Sequence, residues 1–123
     1  MQRMLIVDDE RDICELLEEF FKTKGFSVLS AFSGEEALDQ LGQNPPDVIL
    51  LDILLPGISG LEVLRRIKER HPHTRVIMVT SLDRVELKTE ALEHGAADFV
   101  LKPFDFSLTT WAAALTDRPS SPA

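Results

Sequence analysis

Asp47-Val48-Ile49-Leu50-Leu51-Asp52-Ile53-Leu54-Leu55-Pro56-Gly57 is the stretch that decides the fold. Its apolar run from Val48 to Leu51 does not alternate, the pattern of a strand covered on both faces, as in a parallel sheet. Such a strand needs no carboxylate, yet Asp52 closes it just before a Pro-Gly turn signal. In open parallel sheets, ligands gather in the crevice at the carboxyl ends of the strands. Asp52 therefore stands where chemistry would sit.

The rest of the chain repeats this plan. Met4 to Val7 is a short apolar strand that ends in Asp8-Asp9-Glu10. Ile13, Leu16, Leu17, Phe20, Phe21 and Lys24 recur at helical spacing up to Gly25, with Cys14 beside the stripe as a small packed hydrophobe. Phe26 to Phe32 reads as a second, outer strand. Ser33 with Glu36, and Ser59 with Glu62, have the form of capping boxes. The first opens a short helix carrying Ala37, Leu38 and Leu41. The second opens a helix carrying Leu61, Leu64 and Ile67 that ends near His71-Pro72. Arg75 to Ser81 is the fourth strand. A helix from Asp83 to His94 is expected to turn Leu82, Val85, Thr89 and Leu92 inward, leaving Leu87 and Ala91 on the opposite face. Ala97 to Leu101 is the fifth strand and runs into Lys102-Pro103-Phe104. Leu108, Trp111, Ala112 and Leu115 suggest a last helix, and residues 117–123 read as a flexible, linker-like tail. Five alternations of strand and helix argue for one α/β domain over residues 1–116, built on a doubly wound parallel sheet with helices on both faces.

Bulk properties narrow the function. A chain of 123 residues suffices for one core, and 44% hydrophobic with 28% charged residues does not suggest disorder. A net charge of −8 argues against direct nucleic-acid binding, which needs clustered Lys and Arg. No apolar run approaches the roughly 20 residues of a membrane span. The start, Met1-Gln2-Arg3-Met4, enters a strand without a signal-peptide layout, and the single cysteine fits a reducing compartment. A cytoplasmic location is the expectation. His71, His73 and His94 lack metal-ligand spacing and read as solvated surface.

Four strands finish in chemically capable residues: Asp8 with Asp9, Asp52, Thr80 with Ser81, and Lys102. Right-handed crossovers bring those ends to one edge. Two carboxylates about 4 Å apart repel by about 4 kcal/mol at an effective dielectric near 20. One lysine is too little cation for three acids. A divalent ion meets the deficit, and oxygen-only ligands favour Mg²⁺ over zinc. A hard metal beside a carboxylate, a hydroxyl and a lysine is equipment for a phosphoryl group. Without a Gly-rich phosphate loop or a Ser/His/Asp or Cys/His set, the nucleophile left is a carboxylate, best placed as Asp52.

Leu5-Ile6-Val7-Asp8-Asp9-Glu10, Leu51-Asp52-Ile53-Leu54-Leu55-Pro56-Gly57-Ile58-Ser59-Gly60, Val79-Thr80-Ser81 and Lys102-Pro103-Phe104, in this order, resemble the receiver domain of a two-component response regulator. The likeness runs from about Met4 to Phe106. It implies a flavodoxin-like sheet of order 2-1-3-4-5, a topology for which a receiver is itself a standard example. It implies that Asp52 accepts a phosphoryl group from a sensor histidine kinase or a phosphotransfer protein. Asp8, Asp9, Asp52 and the backbone carbonyl of Leu54 would hold Mg²⁺. Thr80, Lys102 and the backbone of Ser81 would contact the phosphoryl group. Thr80 and Phe99 would form the switch, and the peptide before Pro103 would be cis. Implied partners are an output domain in a longer chain and a weak second copy through the fourth helix, fifth strand and fifth helix, anchored by Leu87 and Ala91. No enzymatic turnover of an outside substrate is implied.

Ser59 and Leu55 depart from the family pattern without touching the chemistry. Leu54 and Leu82 flank the site with apolar bulk, which suggests slow loss of phosphate from Asp52. The final helix, with Thr109-Thr110 and no basic residue before Arg118, departs most. Three other classes compete. An aspartyl-phosphate phosphatase would want a general acid where Leu54 stands. A flavin carrier would be repelled by the acidic strand ends. A docking-only pseudo-receiver would not need the complete acid, Thr and Lys set.

Overall fold

Strand parity sorts the apolar residues into two cores, one on each face of a single sheet. The computed structural model describes residues 2–42 and 44–116; the tail read at 117–123 lies outside the described residues. The elements are β1 (Arg3–Val7), α1 (Arg11–Thr23), β2 (Ser27–Ala31), α2 (Gly34–Leu41), β3 (Val48–Leu51), α3 (Gly60–Arg70), β4 (Arg75–Thr80), α4 (Val85–Glu93), β5 (Asp98–Leu101) and α5 (Ala112–Leu115). All strand pairs are parallel, in the order β2-β1-β3-β4-β5. The expected order holds, and β2 is an edge strand.

Alternate residues of the central strands face opposite ways. Leu5, Val7, Ile49, Leu51, Val76 and Met78 pack with α2, α3 and α4 through Ala37, Leu64, Ile67 and Ala91. Met4, Ile6, Val48, Leu50, Ile77 and Val79 pack with α1 and α5 through Leu17, Phe21, Trp111 and Ala114. Every residue of β3 and β4 is therefore buried, as unalternating runs require. Both capping serines act: Ser33 Oγ accepts from the Glu36 amide, and Ser59 Oγ from the Glu62 amide. Among the described residues no helix is long and apolar enough to cross a membrane.

Two expectations need correction. α4 presents the opposite face: Leu87 and Ala91 pack inward, while Thr89 is exposed, Val85 is 71% exposed and Leu92 43%. The helix starts only after Arg84, so half-buried Leu82 sits in the preceding loop and does not share its periodicity. The small side chain of Ala91 suits close approach to the sheet, and Leu87 is on its face one turn earlier. Leu87 and Ala91 are thus core residues, unavailable as anchors for a partner. The last helix, read as short, is confined to four residues and does not include Leu108; Trp111 and Ala114 are buried but Leu108 and Ala112 exposed. Asp105 accepts from the Ser107 amide and Thr110 Oγ1, and Ser107 Oγ accepts from the Thr110 amide. These local side-chain bonds favour a turn over helix. Trp111 anchors the short helix behind that turn, edge-on to Phe21 and Phe104, with its Nε1 donating to the Asp105 carbonyl.

The corrected face is directly testable. Leu87→Asp places an unpaired charge against the core and should cost more than about 2 kcal/mol in urea unfolding. Val85→Asp should stay within about 0.5 kcal/mol. The reverse ranking would restore the original orientation.

Candidate functional site

Register delivers the acids to one place. Val7 pairs with Leu51, so Asp8 and Asp52 each stand one residue beyond the same rung. The Asp52 amide donates to the Val7 carbonyl, and the Asp8 amide to the Ala31 carbonyl. On the far side Thr80 pairs with Leu101, which leaves Lys102 next along β5, its amide bonded to the Thr80 carbonyl. The Lys102–Pro103 peptide is cis, as the resemblance implies.

Lys102 Nζ lies 2.7 Å from Asp8 Oδ2, 2.9 Å from Glu10 Oε1 and 3.0 Å from Asp52 Oδ2. Asp8 and Asp52 are buried, at 2% and 4% exposure. Each has a second, local bond: the Glu10 amide donates to Asp8 Oδ1, and the Leu54 amide to Asp52 Oδ1. Burial pushes the Asp8 carboxyl above its ordinary value, against the opposing pull of Lys102 and the Glu10 amide. Burial likewise disfavours the Lys102 charge, but its three carboxylate bonds together hold it above the usual lysine range. The site is therefore electrostatically tense, with two buried acids leaning on one ammonium.

Neighbouring backbone fixes that geometry. Gly60 begins α3 against the end of β3, its amide donating to the Ile53 carbonyl; a Cβ there would collide with the Asp52 carbonyl oxygen. Gly57, at φ 77°, turns the loop between β3 and α3, and Glu35 from α2 accepts from the Ile58 amide of that loop. Cys14 is buried under the site and donates from Sγ to the Asp8 carbonyl. Burial, and then the Asp8 charge, push its thiol up to about 11, so it stays protonated and inert.

The remaining expected residues differ in burial. Thr80 is fully buried at the end of β4, and its Oγ1 accepts from the Leu82 amide. Phe99 is half-buried on β5, against the core that also holds Leu87. Ser81 and Asp9 are exposed, and the Leu54 side chain is 52% exposed. Among the described residues, the acids whose oxygens lie within 4.8 Å of one another are Asp8, Glu10 and Asp52. Asp9 is outside this group. Glu10 is the residue not singled out by sequence, and strand parity gives no signal for it, because β1 ends at Val7 and the chain bends at Asp9. The Glu10 amide donates to Asp8 Oδ1, which brings the Glu10 carboxylate to Lys102. A cleft of about 430 Å³, lined by Asp47, Arg70, His71 and Arg75 among others, lies at the opposite ends of the strands, away from this chemistry.

A family model for the response regulator receiver domain matches residues 4–112. The BeF3-activated DrrB receiver domain is 32% identical, with a TM-score of 0.84 over 93% of this chain and 95% of that one. A CheY-like receiver domain protein from Methanospirillum hungatei JF-1 is 28% identical, with a TM-score of 0.86 over 94% of each chain. NtrX from Brucella abortus is 33% identical with a TM-score of 0.83, and its match covers 92% of this chain but 26% of that longer one. The chain belongs to the response regulator receiver domain family, and two-component signalling follows from that membership.

Charge at Asp8 opposes folding. Because its folded pKa is raised, the folded state binds more protons, and stability from this group falls as pH rises through that pKa. Asp8→Asn should therefore raise the thermal midpoint at pH 7. The gain should shrink as the pH is lowered toward the ordinary carboxylate range. A lowered midpoint at pH 7 would contradict this electrostatic reading.

Proposed function

We propose that this chain is a phosphorylation-controlled receiver in which Asp52 is the phosphoacceptor, with residues 1–116 as the working unit. The observation that carries the reading is the Lys102 ammonium bridging Asp8 and Asp52, 2.7 and 3.0 Å away, at the carboxyl ends of the central strands. A carboxylate oxygen of Asp52 attacks the phosphorus of a phosphohistidine on a sensor kinase or phosphotransfer protein. The P–N bond breaks, and the imidazole leaves with its electron pair. Lys102 donates to one phosphoryl oxygen, and the Thr80 hydroxyl and the Ser81 amide donate to others.

The charge balance suits a hard divalent cation: Asp8, Glu10 and Asp52 bring three carboxylate charges against one ammonium, and the acids nearest one another offer only oxygen. Asp8 and Asp52 would hold Mg²⁺, with Asp9 and the Leu54 carbonyl completing the set. When bound, the ion supplies positive charge to the phosphoryl oxygens during transfer. Leu54 and Leu82 put no polar group beside Asp52 to orient water, so the phosphoryl group is lost slowly. The protein turns over no outside substrate.

Phosphorylation adds nearly two charges and strong acceptor oxygens. It acts by favouring a minor arrangement that binds this group better, in which Thr80 moves toward the phosphoryl group and Phe99 swings inward. The output is a domain in a longer chain or a second copy, as in the matched NtrX, where the receiver is only part of the chain. On α4 and β5 the apolar residues available for such contact are Val85, Leu92 and Leu101. The protein works in the cytoplasm.

Intact mass after incubation with a small phosphodonor tests this reading against a docking-only module. One added phosphoryl group is expected with Mg²⁺, none without it, and none in Asp52→Asn. In wild type the adduct should decay over hours, and Leu54→Asn with Leu82→Glu should shorten its life. Absence of the adduct, together with no beryllofluoride binding by folded protein, would favour the docking module.

A further inference from the structure

An ammonium has three N–H donors, and on Lys102 three carboxylates take them: Asp8, Glu10 and Asp52. A phosphoryl oxygen arriving at Asp52 needs one of these donors. The three bonds differ in what their release costs. The Asp8 and Asp52 side chains are 3% and 4% exposed, and unpairing either leaves a charge stranded in the protein interior. The Glu10 side chain is 61% exposed, so water takes over its hydrogen bonds when it lets go. The Glu10 bond is therefore the one that exchanges most easily.

Glu10 is also tethered where exchange must occur. It is the N-cap residue of α1, with extended backbone angles, and its amide donates to Asp8 Oδ1. The backbone of Glu10 thus belongs to the site while its carboxylate sits at the mouth. This is the one exposed acid in contact with Lys102 among the described residues.

We propose that Glu10 is a resident stand-in for the phosphoryl group, its carboxylate occupying the Lys102 donor that a phosphoryl oxygen takes after transfer. This rests on the reading of Asp52 as the phosphoacceptor. Glu10 is a positioning residue: it keeps Lys102 aimed across the mouth in the resting state and competes with the product for the same proton. Loss of the competitor favours the phosphorylated form by the worth of one exposed ion pair, about two- to fivefold.

The test compares wild type, Glu10→Gln, Glu10→Ala and Glu15→Gln at saturating Mg²⁺. Glu15→Gln removes the same charge from an exposed position on the same helix. Beryllofluoride affinity, followed by fluorine NMR, should rise about two- to fivefold in both Glu10 variants and stay at the wild-type value in Glu15→Gln. The rate of adduct formation from a small phosphodonor should rise by a similar factor. Unchanged affinity in the Glu10 variants would overturn the proposal, as would an equal gain in Glu15→Gln, which would mean long-range charge alone. Weakened affinity would also overturn it, since that is the sign expected if Glu10 helped to hold the metal. Wild type that takes up neither beryllofluoride nor a phosphoryl group would instead remove the reading of Asp52.

Discussion

The ion pair that joins Lys102 to Asp8 and Asp52 is the constraint around which this protein is built. Two carboxylates at 2% and 4% exposure would repel each other and strain for water. One ammonium offsets them incompletely, which is why burial still pushes Asp8 upward. A fold that needed only stability would place apolar groups there. The cluster stands at the carboxyl ends of the central strands, and in the proposed function a phosphoryl group and a divalent cation would share its charges.

Everything else positions those three side chains. The parallel register sets Asp8 and Asp52 side by side, one residue past Val7 and Leu51, and sends Lys102 off the end of β5. Two apolar cores clamp the sheet from both faces, so the strand ends have little freedom to drift. Gly60 lets α3 begin hard against the Asp52 carbonyl, and Cys14 closes the floor below Asp8. Thr80 is buried at the end of β4, beside Leu101 of β5, the strand that also carries half-buried Phe99.

Much of this is legible in sequence because burial on both faces of a sheet leaves a simple mark. Val48 to Leu51 and Arg75 to Thr80 read as central strands since no polar side chain interrupts their apolar middles, and the acids and lysine stand out by ending such runs. The hidden features depend on phase and local bonding. The α4 helix carries two apolar sets, Val85 with Leu92 and Leu87 with Ala91, and only packing decides between them. The region before α5 has apolar residues at helical spacing, but Asp105, Ser107 and Thr110 bond to one another and hold a turn. At the site, Asp8-Asp9 draws the eye as a pair, while a bend at Asp9 and the Glu10 amide bond to Asp8 bring Asp8 and Glu10 together.

The most direct test of the central claim is to find which carboxylate carries the phosphoryl group. Borohydride reduces an acyl phosphate to an alcohol and releases phosphate, converting a phosphorylated aspartate to homoserine. Protein phosphorylated with a small phosphodonor and Mg²⁺, reduced, digested and sequenced by mass, should show homoserine at position 52 alone. Reduction products at Asp8, Asp9 or Glu10 instead, or none in protein that carries the added mass, would contradict the assignment of Asp52 as the acceptor held by Lys102.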